Sequence, residues 1–307
     1  MTSHSDRAGS VGLDDYAAFL PPHRRSTMVR PTSDSWEWRE HGVHLLRARR
    51  PEAPARVLLV HGAGAHAEAL WPVAAQLAPL GVDLTAVDLP CYGRTEAPRR
   101  SSVRYQDWID LLVDLVDAED DGRPLLLMGG SIGGLLAVEA AARSGKVQAV
   151  AATCLMDPTS RSSRARMTRW GRLALLGMPL LPLVRGLMAR VPLRVSWVAR
   201  LEAMGRDPQL GRLCAQDPRG GASLIPLGLM ASYLTHPHQA ARQCPVPVTL
   251  VHPACDAWTP LALSEATLST LPGPTRRVLL REAGHFPLEE EGLRDLLTAV
   301  QQMFEEL

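Results

Sequence analysis

The hydrophobic residues of this chain follow two alternating patterns. Short runs without a polar interruption, such as 57–60 and 125–127, are typical of strands buried on both faces of a parallel sheet. Longer segments with apolar residues three or four positions apart, of which 105–116 is the clearest, are typical of amphipathic helices. Strands are predicted at 36–39, 43–49, 57–60, 82–88, 125–128, 147–154, 246–252 and 277–280, and helices at 70–77, 105–116, 135–142, 261–271 and 290–304.

This alternation of strand and helix predicts an α/β fold with a doubly wound, mostly parallel sheet. It stops between 157 and 243, where the chain becomes helical in pattern and is punctuated by proline. We therefore expect a helical cap, or lid, at 157–243, inserted into a core made of 31–156 and 244–307. Residues 1–30 carry few signals of order, and we expect them to form a partly disordered N-terminal extension.

The composition is that of a globular protein with one large core, since 46% of the 307 residues are hydrophobic. The formal net charge of +1 gives no bulk signal for nucleic-acid binding, so no nucleic-acid partner is expected. Lys146 is the only lysine among the 33 lysine and arginine residues. We interpret this bias as the coding preference of a GC-rich, bacterial genome.

The five cysteines are odd in number and include no Cys-x-x-Cys pair, so neither a disulfide framework nor a cysteine zinc site is expected. No apolar run reaches the length of about 18 residues that a membrane-spanning helix needs. The polar start of the chain lacks the apolar core of a signal peptide. We therefore expect a cytoplasmic protein. The sequence does not indicate its oligomeric state.

The motif Gly-x-Ser-x-Gly, formed by Gly129, Ser131 and Gly133, lies between a predicted strand and a predicted helix. In that context it indicates a nucleophile elbow, a sharp turn that exposes the serine hydroxyl. Glycines two residues before and after the serine remove side chains that would collide with the neighbouring strand and helix. Taken alone, the motif is equally consistent with a glycine-rich loop.

A nucleophilic serine needs a histidine base and an acid that orients the base. Asp256 follows the strand predicted at 246–252, and His285 follows the last predicted strand. Each residue alone has a simpler explanation, a helix cap for Asp256 and an ordinary loop residue for His285. Together they have the residue types and the chain order of a Ser-His-Asp triad, which we therefore predict. Asp157 is the alternative acid.

The oxyanion hole is predicted from two backbone N–H groups. One belongs to Ile132, directly after the serine, and the other to Ala63, in the loop after the strand 57–60. His61 and Gly62 begin this loop, and we assign His61 a structural role without proton transfer. A plain turn at the end of the strand is the simpler alternative.

With these residues in place, the sequence resembles the α/β-hydrolase superfamily from about residue 36 to the C-terminus. It looks most like the monoacylglycerol lipase and lysophospholipase-like branch with an inserted helical cap. The motifs that carry the resemblance are 61–64, 103–108, 129–134, Asp256 and His285. The resemblance implies an α/β-hydrolase fold, a catalytic triad, and neither a metal nor an organic cofactor.

Two features of the sequence bear on which branch of the superfamily it resembles. Gly130 precedes the serine where this branch usually has histidine, and the resulting Gly-Gly-Ser is also similar to prolyl iminopeptidases, which use cap carboxylates to hold a substrate ammonium group. Residues 157–245 contain 13 arginines and four acidic residues. Such a cap would repel a cationic amine, although arginines on a solvated face would give the same count.

The leading hypothesis is a serine hydrolase, of the esterase or lipase type, that cleaves carboxylic esters of apolar acyl groups. A small-molecule acyl substrate is the expected partner, with Leu227, Met230 and Trp258 as candidate pocket residues because the predicted cap is rich in leucine and methionine. Two alternatives remain open. One is hydrolysis of an amide, thioester or carbon–carbon bond by the same triad, and the other is a hydrolase-like protein that binds a ligand without turnover.

Overall fold

The computed structural model describes residues 11–307, and ten strands lie within that range. The strands that form the main sheet lie within about two residues of the predicted positions, except that β1 begins at Thr32, four residues before the predicted start. In chain order the strands are β1 Thr32–Trp38, β2 His41–Ala48, β3 Arg56–Val60, β4 Asp83–Val87, β5 Leu125–Gly129, β6 Ala149–Ala152, β7 Pro192–Arg194, β8 Leu224–Pro226, β9 Val248–Pro253 and β10 Thr275–Leu280.

Eight of these strands form one sheet, in the order β1-β2-β4-β3-β5-β6-β9-β10. The strands from β4 to β10 in this order run parallel, and β2 pairs antiparallel with both β1 and β4. Every residue of β3, β4, β5, β6 and β9 is buried. The apolar runs 57–60 and 125–127 predict this for β3 and β5, whereas β4 and β9 also bury polar residues such as Thr85 and Thr249. The predicted fold class is confirmed.

The helices connect these strands and bury their apolar stripes against them. α4 packs on α5, and α11 packs on β10. In chain order the α-helices are α1 Leu13–Ala17, α2 Pro22–Ser26, α3 Ala67–Ala74, α4 Tyr105–Ala118, α5 Ile132–Ser144, α6 Arg161–Met167, α7 Leu181–Arg185, α8 Pro208–Gln216, α9 Leu227–Thr235, α10 Leu261–Leu268 and α11 Glu290–Glu305.

Residues 157–243, hereafter the inserted segment, add no strand to the main sheet, because β6 and β9 on either side of the segment pair directly with each other. The segment contains short α- and 3₁₀-helices, as its sequence pattern indicates. It also contains β7 and β8, a short antiparallel pair that the proline-punctuated pattern did not predict.

Two apolar runs of the inserted segment are exposed rather than packed. The side chains of Leu173, Leu176 and Leu187 are 70%, 77% and 88% exposed. Leu173 and Leu176 lie on a 3₁₀-helix at Gly171–Leu180 and Leu187 follows the five-residue α7, and no described element covers these leucines. The run 224–230, in contrast, contributes the buried residues Ile225 and Leu229.

The expected N-terminal extension is partly built into the fold. Residues 1–10 lie outside the described range, so the prediction of disorder is not addressed there. Residues 11–30 contain α1 and α2, and Tyr16 of α1 is fully buried. Its hydroxyl donates to Asp217 (2.7 Å), which also lies 2.6 Å from His66 Nε2, so this buried cluster ties α1 to the core and to the inserted segment.

Of the helices formed by residues 11–307, none has both the length and the apolar character needed to span a bilayer. The five cysteines are all free thiols, and Cys255 is the exposed one.

Candidate active site

Ser131 lies in a strained turn between β5 and α5. Its φ is 53° and its ψ is −121°, a conformation that side-chain-bearing residues rarely adopt. β5 ends at Gly129 and α5 begins at Ile132, so the change of direction is completed at Gly130 and Ser131. Strain of this kind costs about 1–3 kcal/mol and persists only where the surroundings impose it.

Close backbone packing around the turn explains why its glycines are required. A Cβ on Gly129 would lie 2.1 Å from the carbonyl oxygen of Gly133, and a Cβ on Gly133 would lie 2.5 Å from the carbonyl oxygen of Val60. Both distances are far below van der Waals contact. Hydrogen bonds fix the turn from two neighbouring strands: the Gly130 N–H donates to Val60 O (2.9 Å), and the Ser131 N–H donates to Thr153 Oγ1 (3.0 Å).

His285 and Asp256 meet at the same edge of the sheet. Asp256 follows β9 and His285 follows β10, and because these strands are parallel and adjacent, their carboxyl ends lie together. His285 Nδ1 lies 2.8 Å from Asp256 Oδ2, and both side chains are almost fully buried. The pair can therefore hold the imidazole in one orientation.

Asp256 also organises its own loop. Its Oδ1 accepts hydrogen bonds from the backbone N–H groups of Trp258 (2.8 Å) and Thr259 (2.9 Å). Burial alone would raise the pKa of Asp256, but the His285 imidazole and the hydrogen bonds from Thr259 outweigh it and lower that pKa to about 2. The carboxylate is therefore ionised at neutral pH.

The second nitrogen of His285 has no protein partner. Nε2 is buried and makes no hydrogen bond within residues 11–307. His285 and Ser131 line the same cavity, and the Trp258 ring packs at 4.8 Å from the His285 ring. An imidazole that is oriented through Nδ1 and unbound at Nε2 is suited to exchanging a proton with a group in that cavity.

The loop after β3 runs against the serine turn. A Cβ on Gly62 would lie 2.8 Å from Ser131 Cβ and 3.4 Å from the Ile132 backbone nitrogen, so the next residue, Ala63, is held beside the elbow. The backbone N–H groups of Ala63 and Ile132 donate no hydrogen bond to any other described residue. Two free donors at this point can stabilise negative charge on an acyl oxygen.

His61 holds the same loop in place. Its Nε2 accepts from the Leu89 N–H (3.0 Å), so Nδ1 carries the proton and donates to Gly62 O (2.8 Å). Burial lowers the pKa of His61 to about 4. The ring is therefore neutral and fully occupied in hydrogen bonding, in agreement with a structural role.

Ser131 lies between two apolar cavities, with volumes of about 50 Å³ and about 110 Å³. Met230 and Trp258 line the larger cavity together with Ile225 and Leu229 of the inserted segment. Leu227, the remaining candidate pocket residue, does not line it. The smaller cavity is lined by core residues that include Leu70, Met128, His285 and Phe286, and by Met204 and Cys214 of the inserted segment.

Two contributors to the site were not predicted. Thr259 donates its hydroxyl to Asp256 Oδ2 and lies 3.4 Å from His285 Nδ1, and Thr153 accepts from the Ser131 N–H. The spacing Asp-x-x-Thr at 256–259 resembles a turn motif and was a usable signal for Thr259. Nothing local marks Thr153, which reaches the elbow through the pairing of β5 with β6.

Asp157, the alternative acid, is engaged elsewhere. Its Oδ2 accepts from Arg242 (2.9 Å), and its Oδ1 accepts from the Thr159 hydroxyl (2.6 Å). Both partners belong to the inserted segment. Within residues 11–307, no hydrogen bond joins Asp157 to His285, whose partner is Asp256. Asp256 is therefore the acid that meets the histidine.

Comparison with known proteins gives a consistent result. The sequence model of the alpha/beta hydrolase family matches residues 57–299. The chain is 34% identical to lipase LipV of Mycobacterium tuberculosis over 108 residues, which are 35% of this chain and 39% of LipV. It thus matches well under half the length of that curated relative.

Solved structures share the fold. A monoacylglycerol lipase of Paleococcus ferrophilus superposes with a TM-score of 0.67 at 19% identity, covering 85% of this chain and 97% of the other. A soluble variant of monoglyceride lipase from Saccharomyces cerevisiae gives 0.69 at 16% identity, covering 91% and 97%. With the sheet order and the strained turn after β5, the family match over most of the length shows that this chain belongs to the alpha/beta hydrolase family.

Proposed function

We propose that the protein is a serine hydrolase that cleaves carboxylic esters with apolar acyl groups, using Ser131, His285 and Asp256 as a catalytic triad. The observation that carries the proposal is the 2.8 Å contact between His285 Nδ1 and Asp256, which leaves Nε2 unpartnered in the cavity that Ser131 also lines. The residue types and their chain order are those of the family's hydrolytic members.

The proposed reaction has two halves. His285 Nε2 takes the proton of the Ser131 hydroxyl as the oxygen attacks the acyl carbonyl, and the N–H groups of Ala63 and Ile132 stabilise the oxyanion. His285 then gives the proton to the leaving alcohol, which leaves an acyl-enzyme. In the second half the same imidazole deprotonates a water molecule that attacks the acyl-enzyme, and its proton returns to Ser131 Oγ as the acid is released.

The two apolar cavities beside Ser131 support a substrate with apolar parts on both sides of the ester bond. In this proposal the inserted segment is a cap, and its residues Leu229 and Met230 line the pocket for the acyl chain. The names of the relatives, lipase and monoacylglycerol lipase, agree with this substrate class. A cationic amine is a poor candidate because no aspartate or glutamate lines either cavity among the described residues.

The function is tested by covalent labelling and by ester turnover. We expect a fluorophosphonate probe to label the wild-type protein at Ser131, and Ser131→Ala to lose both labelling and hydrolysis of p-nitrophenyl butyrate. Loss of the nucleophile in such a triad lowers kcat by about a million-fold. Ser101→Ala, an exposed serine outside the site, is the matched control.

Retention of more than a few per cent of wild-type turnover by Ser131→Ala would contradict the assignment. Labelling of Ser131 without hydrolysis of any acyl ester would favour the alternative bonds, which a parallel series of amides and acyl thioesters would then separate. A wild-type protein that is neither labelled nor active would favour ligand binding without turnover. A cytoplasmic location stays a prediction.

A further inference from the structure

Glu139, His236 and His238 come together away from the candidate catalytic residues. Glu139 lies on α5, two turns beyond the serine elbow, and the two histidines follow the C-terminal end of α9. Glu139 Oε1 lies 3.2 Å from His238 Nδ1 and 3.8 Å from His236 Nε2. The cluster therefore joins the inserted segment to the core helix that carries the nucleophile.

Glu139 is buried without a hydrogen bond to its carboxylate. Its side chain is 0% exposed, yet neither carboxylate oxygen accepts a hydrogen bond from any described residue. Its protein contacts are ionic: His238 Nδ1 and His236 Nε2 lie near Oε1, and Arg143 Nη2 lies 3.8 Å from Oε2. A buried carboxylate normally gains hydrogen bonds or binds a metal, so this arrangement leaves coordination sites on both oxygens.

The ring nitrogens of His238 also lack hydrogen-bond partners in the described chain. It is 2% exposed, and neither of its ring nitrogens forms a hydrogen bond within residues 11–307. Although Nδ1 is only 3.2 Å from Glu139 Oε1, the ring is not oriented to donate an N–H along that line. The backbone of His238 is also strained, with a φ of 49°. No hydrogen bond of the His238 side chain therefore offsets the strain of its backbone conformation.

The separations of the donor atoms suit a tetrahedral metal ion. With Zn–N and Zn–O bonds of about 2.1 Å, two ligand atoms in a tetrahedron lie about 3.4 Å apart. The observed 3.2 Å and 3.8 Å lie on either side of this value, and all three ligand atoms lie within 4.8 Å of one another. Two imidazoles and one carboxylate form a ligand set that zinc accepts, with a fourth position for water.

A buried tyrosine provides an independent indication. The Tyr105 ring packs edge-on against both imidazoles, at 5.2 Å from His236 and 5.7 Å from His238. Its hydroxyl is buried and has no hydrogen-bond partner among the described residues. A water molecule bound to the metal as fourth ligand would supply the polar partner that this hydroxyl lacks.

We propose that Glu139, His236 and His238 form a structural zinc site that fastens the inserted segment to α5. The ion neutralises the buried carboxylate and is coordinated by a ring nitrogen of each histidine. Because α9 lines the larger cavity through Leu229 and Met230, the site fixes one wall of the pocket relative to the serine elbow. The zinc takes no part in ester cleavage, and its binding does not depend on the proposed triad.

The test measures metal directly on protein prepared without a histidine tag. The protein is treated with a chelator, dialysed, incubated with equimolar zinc, desalted and analysed by mass spectrometry for metal content. We expect about one zinc per chain for wild type and for Ser131→Ala. We expect less than about a tenth of that for Glu139→Gln and for His238→Ala. His41→Ala, a buried histidine outside the cluster, is the matched control and should keep its zinc.

Thermal unfolding gives a second readout. Zinc at about a hundred times its Kd should raise the Tm of the wild type by about 5 °C, and Ca²⁺ and Mg²⁺ should not, because they prefer oxygen ligands. The Tm of Glu139→Gln should not respond to zinc. The proposal is overturned if the wild type retains no zinc and its Tm does not change, or if Glu139→Gln binds zinc as tightly as the wild type. Because wild-type metal content is measured directly, a variant that fails to fold leaves the test intact.

Discussion

At the scale of single residues, Asp256 combines two roles that the sequence presented as alternatives. It accepts two backbone N–H groups, as a turn-capping residue does, and it also contacts His285 Nδ1. The two roles reinforce each other, since the turn fixes the carboxylate before the histidine approaches. The capping bonds are also part of the reason why the pKa of this group falls to about 2.

The charge of Asp256 should be essential for turnover. Asp256→Asn keeps the shape of the turn but removes the charge that stabilises the imidazolium, and it favours the wrong tautomer of His285. We expect kcat for a short-chain ester to fall about ten-thousand-fold. Asp157→Asn is the matched control, because Asp157 binds Arg242 and Thr159 instead. Normal turnover of Asp256→Asn, or a comparable loss in Asp157→Asn, would mean that another acid serves the histidine.

His61 makes the stability of the protein depend on pH. It is neutral because burial lowers its pKa to about 4. In the unfolded chain a histidine binds its proton below about pH 6.5. Between these two values the unfolded state holds more protons, so stability is lost as the pH falls from about 6.5 to about 4. The contribution of this one histidine is about 1.4 kcal/mol per pH unit within that window.

His61→Gln should weaken this dependence, since glutamine can keep both hydrogen bonds but does not titrate. The measurement is the free energy of unfolding in urea at several pH values between 4 and 7, compared with wild type. An unchanged slope in His61→Gln would show that this histidine is not held neutral by the fold.

Much of the site could be predicted at the residue scale because its chemistry is tied to local motifs. Ser131, Asp256 and His285 each follow a strand whose apolar run is visible in the sequence, and parallel strands bring such positions to one edge. Thr153 and the cluster around Glu139 could not be found in this way. Their partners lie far apart in the chain and meet only through packing that periodicity does not encode.

At the scale of elements, α9 shows how far periodicity can be used. Leu227 and Met230 were predicted to line a pocket. Met230 lines the larger cavity together with Leu229 and Tyr233, which were not predicted, whereas Leu227 does not. A helical pattern shows that one face is apolar, but the neighbours of the helix decide which residues face the cavity. The same limit explains β7 and β8, three-residue strands that are too short to produce a recognisable alternation.

This difference within α9 gives a matched pair of variants. Met230→Trp should fill the larger cavity and lower kcat/KM for octanoyl esters while largely preserving acetyl-ester turnover. Each methylene that loses burial costs about 0.8 kcal/mol, so the loss of four corresponds to about 200-fold in kcat/KM. Leu227→Trp, one turn away, should leave the chain-length profile unchanged. Equal effects of both variants, or a wild type with no chain-length preference, would argue against an acyl chain in this cavity.

At the scale of the whole molecule, the exposed apolar side chains are concentrated in one stretch of the inserted segment. Of the twelve large hydrophobic residues exposed within the described chain, nine lie between Trp170 and Trp197. Arginines are interleaved with them, among them Arg172, Arg185 and Arg190. A soluble surface rarely exposes so many large apolar groups together without a partner. Apolar side chains flanked by arginine suit the boundary between water and anionic lipid.

We therefore expect this stretch to matter for aggregated substrate and not for dissolved substrate. Replacing Leu173, Leu176 and Leu187 with serine removes side chains that are at least 70% exposed and that pack little in the free protein. Stability and the turnover of a dissolved butyryl ester should hardly change. Each leucine that enters a lipid surface contributes about 1.5–3 kcal/mol, so binding to vesicles that contain a long-chain ester should weaken at least a hundred-fold.

The control is Leu279→Ser, at a leucine that is 41% exposed on β10, outside this stretch. Vesicle sedimentation measures the binding, and hydrolysis of the same ester in vesicles and in detergent monomers measures its consequence. If the triple variant lost activity on both forms equally, the leucines would be supporting the fold. If it lost activity on neither, the exposed surface would have no part in reaching the substrate. Loss on vesicles alone would show that the inserted segment delivers the catalytic site to the lipid surface.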